Sequence, residues 1–298
     1  MSEFIQLLVS GLALGTIYAL VALGFVVIYR SSQVFNFAHG EFLTFGAFIS
    51  ITLLDFGLPW GLAILGAMAA TGALGAAIEK TVLRPLVGRP VFVPIILTIF
   101  VGSVLRTLML LNWGSEPHGI ATPWNTLSSV SIGGASLLVN SLAAVAASAI
   151  ALMSYFLLIR YTRMGVAMRA TSSDQETALA LGIPVGRVLG STWFLAGAYA
   201  ALAGIFLGLF PRSVDVNLGF VAMRAFPAVI IGGLESPGGA IIGGIVLGVL
   251  EVLTQGYVNP LLGEFGKDFH AVFPYLVMIA FLIVRPYGLF GMSRVQRV

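Results

Sequence analysis

The chain has 298 residues, 58% apolar and only 9% charged, with a mean hydropathy of +1.02. Soluble domains carry about 25% charged residues, so this composition excludes an ordinary soluble enzyme or binding module and describes a membrane protein. The absence of cysteine excludes disulfides and thiolate chemistry, and the net charge of +3, suggestive of nucleic acid in a soluble chain, is here better explained by membrane topology, so no nucleic-acid partner is expected.

A spanning helix needs about 20 mostly apolar residues. The stretches that qualify are 4–29, 40–56, 60–79, 91–111, 135–159, 188–210, 220–234, 237–256 and 270–285. They predict an all-α polytopic protein of about nine transmembrane helices, eight to ten, in a single transmembrane domain over 1–298. The first stretch is a span rather than a cleavable signal, because Met1-Ser2-Glu3 has no positive flank and the run to Tyr29 is too long for an h-region.

The second stretch opens with Asn36, His39 and Glu41 within six residues. Polar groups in a membrane are costly unless they pair or face water. Two readings stand: a hydrogen-bonded cluster near a pathway or gate, or an edge cap in which Asn36 caps the helix while His39 and Glu41 sit among headgroups. His39-Gly-Glu41 is no zinc signature, since no second histidine follows one turn later. Arg106, Arg224 and Glu251 lie inside apolar stretches; an ion pair or an aqueous vestibule would explain them, and so would snorkelling. Gly11-x-x-x-Gly15, Gly204-x-x-x-Gly208, Gly239-x-x-x-Gly243 and Gly244-x-x-x-Gly248 predict close helix packing within the bundle. Asn112–Gly134 holds no Lys or Arg and reads as an external loop.

Between 159 and 188 lies a polar island, Arg160 to Arg187. Ser172-x-x-Gln175 and Ser173-x-x-Glu176 fit the capping-box spacing, Gly182 supplies a chain-turning residue, and Pro184 blocks resumption. The island therefore predicts one short capped helix. Glu176 lies in its first turn, where negative charge is favoured, and Ala178 to Leu181 form a small apolar face suited to a partner's groove or to the protein's own bundle. Further on, Gly232-Gly-Leu-Glu-Ser-Pro-Gly-Gly239 resembles two half-helices meeting. A weak repeat relates Tyr18-Ala-Leu-Val-Ala-Leu-Gly, followed by Asn36, to Tyr199-Ala-Ala-Leu-Ala-Gly, followed by Asn217 at the same spacing of 18. The copies are five spans apart and would run in opposite directions, as inverted transporter repeats do.

Charge orients the bundle. With the N-terminus outside, 11 of the 15 Lys and Arg fall on one side, among them Arg30, Lys80, Arg84, Arg160, Arg163, Arg169, Arg187, Arg294 and Arg297. Only Arg212 and Lys267 fall opposite. The rich side, with the island and the C-terminus, is cytoplasmic by the positive-inside rule. Catalysis finds no support. There is no nucleophile elbow and no phosphate-cradling G-x-x-x-x-G-K, and the three histidines, His39, His118 and His270, are far apart. If ATP powers this protein, the ATPase is another chain. No cofactor or metal signature is present.

The stretch Glu176-Thr177-Ala178 to Gly182, with Leu181 before the glycine, resembles the coupling loop of ABC importer permeases, with Thr in place of its central Ala. Asn36-Phe-Ala-His-Gly-Glu41 resembles the signature of the branched-chain amino acid permease family, its shorter member in particular. Ala225-Phe-Pro-Ala-Val-Ile-Ile-Gly-Gly-Leu, Gly238-Gly-Ala-Ile-Ile-Gly-Gly and Arg285-Pro-Tyr-Gly-Leu-Phe-Gly291 fit too. The resemblance implies a multi-subunit importer of the bacterial inner membrane. Two cytoplasmic ATPase subunits would dock on Glu176, Thr177, Ala178, Leu181 and Gly182. A second homologous permease would complete the pathway, and a periplasmic binding protein would deliver a small-molecule substrate. Asn36, His39, Glu41, Gly232 and Gly233 are the candidate pathway or gate residues. Relatives of this type carry branched-chain or other amino acids, amides or urea. The rival classes are an ATP-independent secondary transporter, which needs an ion-coupling site, and an intramembrane enzyme, which needs a catalytic pair.

Overall fold

A computed structural model describes residues 2–86, 89–90, 92–132, 135–209, 211–286 and 288–290. Arg294 and Arg297, the tail residues Tyr287 and Gly291, and the segment edges Val91, Gly134 and Phe210 lie outside the described residues. Among the described residues, six helices are long and apolar enough to cross a membrane: Glu3–Ser32, Trp60–Leu86, Phe92–Trp113, Val139–Tyr161, Val185–Leu207 and Pro237–Leu261. They coincide with six of the nine expected spans. Two of the six contain a π turn, Glu79–Leu83 and Thr254–Val258, where the backbone widens without breaking.

In chain order the elements are α1 (Ser2–Ser32), α2 (His39–Asp55), α3 (Trp60–Ile78), α4 (Phe92–Trp113), β1 (Ser129–Ile132), β2 (Ala135–Leu138), α5 (Val139–Tyr161), α6 (Arg163–Ser173), α7 (Gln175–Ala180), α8 (Val185–Leu207), α9 (Leu218–Met223), α10 (Phe226–Gly232), α11 (Pro237–Leu253), α12 (Asn259–Leu261) and α13 (Phe269–Val284). The three remaining expected spans correspond to α2, with 17 residues, to the pair α9–α10, and to α13, with 16 residues.

The helices α1 and α8 form the centre; Tyr18 through Leu23 and Ala196 through Leu207 are almost wholly buried. Glycine makes this possible. A Cβ on Gly248 of α11 would stand 2.2 Å from the Gly15 backbone of α1, and one on Gly75 of α3 would stand 2.7 Å from the Trp193 carbonyl of α8. Lipid tails give apolar side chains no reason to leave them for one another, so close backbone approach and dispersion hold such bundles together. The expectation that the glycine pairs serve internal packing fits these contacts. Outward, α4 exposes Ile96, Ile99 and Phe100, and α13 exposes Ile283 and Val284. A surface of that kind belongs in a bilayer or against another chain, and the chain is a multi-pass membrane protein.

Three local expectations are corrected. The loop after α4 carries a small antiparallel hairpin, β1–β2, with Ser129 opposite Leu138, so the fifth span begins at Val139 rather than 135. The polar island holds two helices, α6 and α7, not one. The glycine-rich stretch 232–239 is a tight turn between antiparallel helices: Gly233 has φ of +100°, Ser236 caps α11 by accepting from the Gly239 N–H, and Gly232 packs on Gly239 as Ala228 packs on Gly243. The real interruption of that span lies earlier, at Arg224–Ala225 between α9 and α10.

Candidate functional site

At the end of the bundle opposite the β-hairpin, α7 stands between α6 and α8. Its N-cap is Asp174, not Ser172 or Ser173. Asp174 has extended backbone, and its Oδ1 accepts from the Thr177 N–H at 3.0 Å while Oδ2 accepts from the Thr177 hydroxyl at 2.7 Å. These donors, with the Glu176 N–H, hold the Asp174 carboxyl below the usual carboxylate range. Ser172 and Ser173 instead end α6, both donating their hydroxyls to the Arg169 carbonyl. At the other end Gly182 has φ of +80°; its N–H donates to the Leu179 carbonyl and that of Ile183 to the Ala178 carbonyl, both at 3.0 Å. That is a Schellman closure, completed by the apolar contact of Ile183 with Ala178.

The apolar face of α7 is divided. Ala178, 2% exposed, packs on Ile183, Val185 and Leu189, whereas Leu179 and Leu181 are 63% and 76% exposed. Glu176 and Thr177 are exposed as well. Ala178 thus ties the helix to its own bundle, while two leucines beside a carboxylate face outward. Two further contacts anchor this end. The Gln175 Nε2 donates to the Ser31 carbonyl at the end of α1, at 2.6 Å. Arg84 grips Glu79, its Nε donating to Oε1 at 3.1 Å and its Nη2 to Oε2 at 2.5 Å, and it also donates to the Gly186 carbonyl at 2.6 Å. Neither anchor is evident from the sequence, in which Arg84 reads only as a topological charge.

From Ser32 the chain turns back along α1 at Gln33, which has φ of +56°. The Phe35 ring lies tilted against Tyr29 and the His39 ring tilted against Phe25, each pair with centroids 4.5 Å apart. Because His39 reaches Gly24, eight residues before Ser32, α2 starts about 12 Å inward of the end of α1 at 1.5 Å per residue. This overturns the edge-cap reading. Asn36 is 1% exposed and His39 0%; the helix N-cap is Ala38, and the Asn36 Oδ1 accepts from the Ala38 N–H at 3.1 Å. The Asn36 Nδ2, both His39 ring nitrogens and the Glu41 Oε2 are buried without a hydrogen-bond partner. Such groups are rare in native interiors and cluster at sites of function or of bound water.

Glu41 lies 3.8 Å from Arg106, which donates to the Asn217 Oδ1 at 2.5 Å and stacks over Phe220. Asn217 is the N-cap residue of α9, and α9 meets α2 backbone to backbone, a Cβ on Gly40 falling 2.6 Å from the Gly219 carbonyl. The starts of two short helices thus converge on one polar cluster, buried at Asn36 and His39 and open at Asn217. Glu251 is 1% exposed and is paired from both sides, by the Tyr18 hydroxyl at 2.8 Å and by Arg224 at 3.2 Å. Arg106, Arg224 and Glu251 are therefore ion-paired, as one of the two expected accounts required; Tyr18 is the partner the sequence did not reveal. Gly232 and Gly233 lie apart from this cluster, where the Leu289 and Phe290 N–H groups strap the end of α10 by donating to the Ile231 and Gly232 carbonyls.

Residues 7–282 match the family model described as branched-chain amino acid transport system, permease component. The High-affinity branched-chain amino acid transport system permease protein BraD of Pseudomonas aeruginosa is 32% identical over 311 residues, covering 99% of this chain and 98% of its own. LivH of Escherichia coli K12, of the same description, is 31% identical over 308 residues with the same coverage. A solved structure, PsaBC from Streptococcus pneumoniae in complex with Fab, aligns over 97% of both chains with a TM-score of 0.53 at 13% identity and supports the fold alone. With a family match over nearly its whole length and relatives above 30% identity, the chain belongs to the branched-chain amino acid transport system permease family.

Proposed function

We propose that this chain is the membrane-spanning permease subunit of an ATP-binding-cassette importer that carries branched-chain amino acids across the bacterial inner membrane. The observation that carries the reading is α7: a short helix capped by Asp174, closed by Gly182, seated through Ala178 and presenting Glu176, Leu179 and Leu181 outward. Two ATPase subunits dock there in the assembled importer, one on this chain and one on a second homologous permease. A periplasmic binding protein supplies the solute at the β-hairpin end. The substrate class follows the names of the relatives. Other amino acids, amides or urea are the competing cargoes, and an ATP-independent transporter is the competing mechanism.

In this reading the α7 end is cytoplasmic, the N-terminus is outside, and α2, α9–α10 and α13 add three crossings to the six long ones. The meeting of α2 and α9 at Gly40 and Gly219, each start preceded by an asparagine, supports an inverted repeat. ATPase closure pulls α7. The pull passes through Gln175 to the end of α1, and through Ala178 and Arg84 to α8 and α3, and reaches the Asn36–Glu41 hairpin. That hairpin changes access; the Gly232–Gly233 turn is the second candidate gate. The test is ATP-dependent uptake by the reconstituted complex against a panel of amino acids, amides and urea, repeated with Glu176→Lys plus Gly182→Pro. Uptake and ATPase binding both untouched by the double variant would sink the coupling assignment.

A further inference from the structure

At the β-hairpin end a cavity of about 260 Å³ opens between α1, the start of α5, the end of α8, α11 and α13. It is smaller than the roughly 300 Å³ at which drug-sized pockets begin, the scale of a small metabolite. Its lining includes the aliphatic and aromatic Leu14, Ile17 and Phe206 and the polar Arg212, Glu251 and Gln255. The two charges differ in their commitments. The Glu251 carboxylate, 1% exposed, is held by Tyr18 and Arg224 and meets the wall as the acidic half of an ion pair. Arg212 has no carboxylate within ion-pair distance among the described residues. In the nine-span reading it and Lys267 are the two Lys or Arg assigned to this side.

An uncommitted guanidinium is a planar fork that matches a carboxylate with two parallel hydrogen bonds. A carboxylate in the same wall favours an ammonium group, and the apolar part takes a hydrocarbon chain. Those three features together describe a zwitterionic amino acid with an aliphatic side chain. We infer that this cavity is an outer receiving site for such an amino acid. Its carboxylate pairs with Arg212, its ammonium faces Glu251, and its side chain lies against Leu14, Ile17 and Phe206. The inference rests on the proposed function, which makes this end external and amino acids the cargo. Glu251 takes no new proton or bond; it acts by its charge while Tyr18 and Arg224 keep it in place.

The chain contains no cysteine, so Gln255→Cys gives it a single thiol at the cavity wall. In the complete importer reconstituted in liposomes, that thiol should react with a membrane-impermeant maleimide from the external side, read as labelling of this chain on a gel. Leucine should slow the reaction severalfold. Leucinol, which lacks the carboxylate, and isovalerate, which lacks the ammonium, should protect little. Arg212→Gln should abolish protection while leaving the unliganded labelling rate unchanged, and Arg212→Lys should retain part of it. An unreactive thiol overturns the inference, and so does equal protection by isovalerate, which would make this a plain anion site, or full protection in Arg212→Gln. Leucine uptake measured on the same liposomes separates the two failures: uptake without protection removes only this site, and the absence of ATP-driven uptake of any amino acid removes the proposed function and this site with it.

Discussion

Replacing Gly182 by alanine isolates the shape of the α7 turn from its packing. Gly182 has φ of +80°, and a Cβ added there meets nothing within 4 Å. The whole penalty is therefore conformational, about 1–2 kcal/mol for an L-residue in the left-handed region. Every 1.4 kcal/mol is about tenfold in an equilibrium, so the closed turn loses roughly an order of magnitude against alternatives that unwind the last residues of α7. The Schellman hydrogen bonds and the seat of Ala178 resist that unwinding, which makes about thirtyfold, the upper end of that penalty, the bound on the loss of docking. A graded series sharpens the test. Asparagine tolerates this backbone and should fall between glycine and alanine, while β-branched valine should be worst. Gly61→Ala is the control: it has equal space and lies in the first turn of α3 with no positive φ. Co-purification of the ATPase subunits and ATP-dependent uptake in proteoliposomes are the readouts, with thermal unfolding of the bundle expected to stay unchanged. Activities that fail to follow the order Gly, Asn, Ala, Val would refute the argument that the turn's geometry matters.

Gly248→Ala must push α1 and α11 apart, because the obstruction is the Gly15 backbone; overpacking of this kind costs about 1–3 kcal/mol, and the melting temperature in detergent should fall where Gly61→Ala leaves it unchanged. Glu251→Gln leaves Arg224 without its counter-charge; breaking a buried pair costs about 3–5 kcal/mol, and the partial exposure of Arg224 places the loss below that range, while Glu251→Leu with Arg224→Leu should melt higher than Glu251→Leu alone. A Cβ at Gly24 would stand 2.4 Å from the His39 ring, so Gly24→Ala should depress uptake and His39→Ala should restore part of it in the double variant; absence of rescue would show that the two positions act separately. The Asp174 carboxyl is lowered in the folded state, so its contribution to α7 is present above the ordinary carboxylate range and is lost as pH falls through the lowered value. Asp174→Asn keeps an acceptor for the Thr177 N–H and should remove that acid sensitivity, measurable as amide exchange protection at Thr177 across pH.

The long apolar helices were legible because twenty apolar residues have few other fates. The cap of α7 was ambiguous for a physical reason. Ser172, Ser173 and Asp174 are consecutive and all can cap; only the backbone decides, and Asp174 alone of them leaves the helical region. The depth of His39 was hidden because residues 33–38 are short and mixed, and a loop of that kind reads as lying at the surface. What placed it was Gly24, whose missing side chain leaves room for the ring. Arg106, Arg224 and Glu251 were visible as anomalies, but their pairing joins positions 27 to 65 residues apart, and Tyr18, 233 residues from Glu251, looks like one more aromatic in an apolar helix.

The glycine contacts bear on how such a chain can change over evolutionary time. Where Gly40 meets Gly219, a Cβ on either side lands within 2.8 Å of the other's carbonyl, and the Gly15–Gly248 contact is tighter still. In an ordinary core, a residue that grows can be accommodated by a neighbour that shrinks. Glycine has nothing smaller to become, so no second-site replacement within the pair can restore the fit. Variation at these crossings must be absorbed by moving whole helices, which leaves the cavity at the β-hairpin end and the exposed face of α7 as the places where sequence can drift and specificity can be retuned.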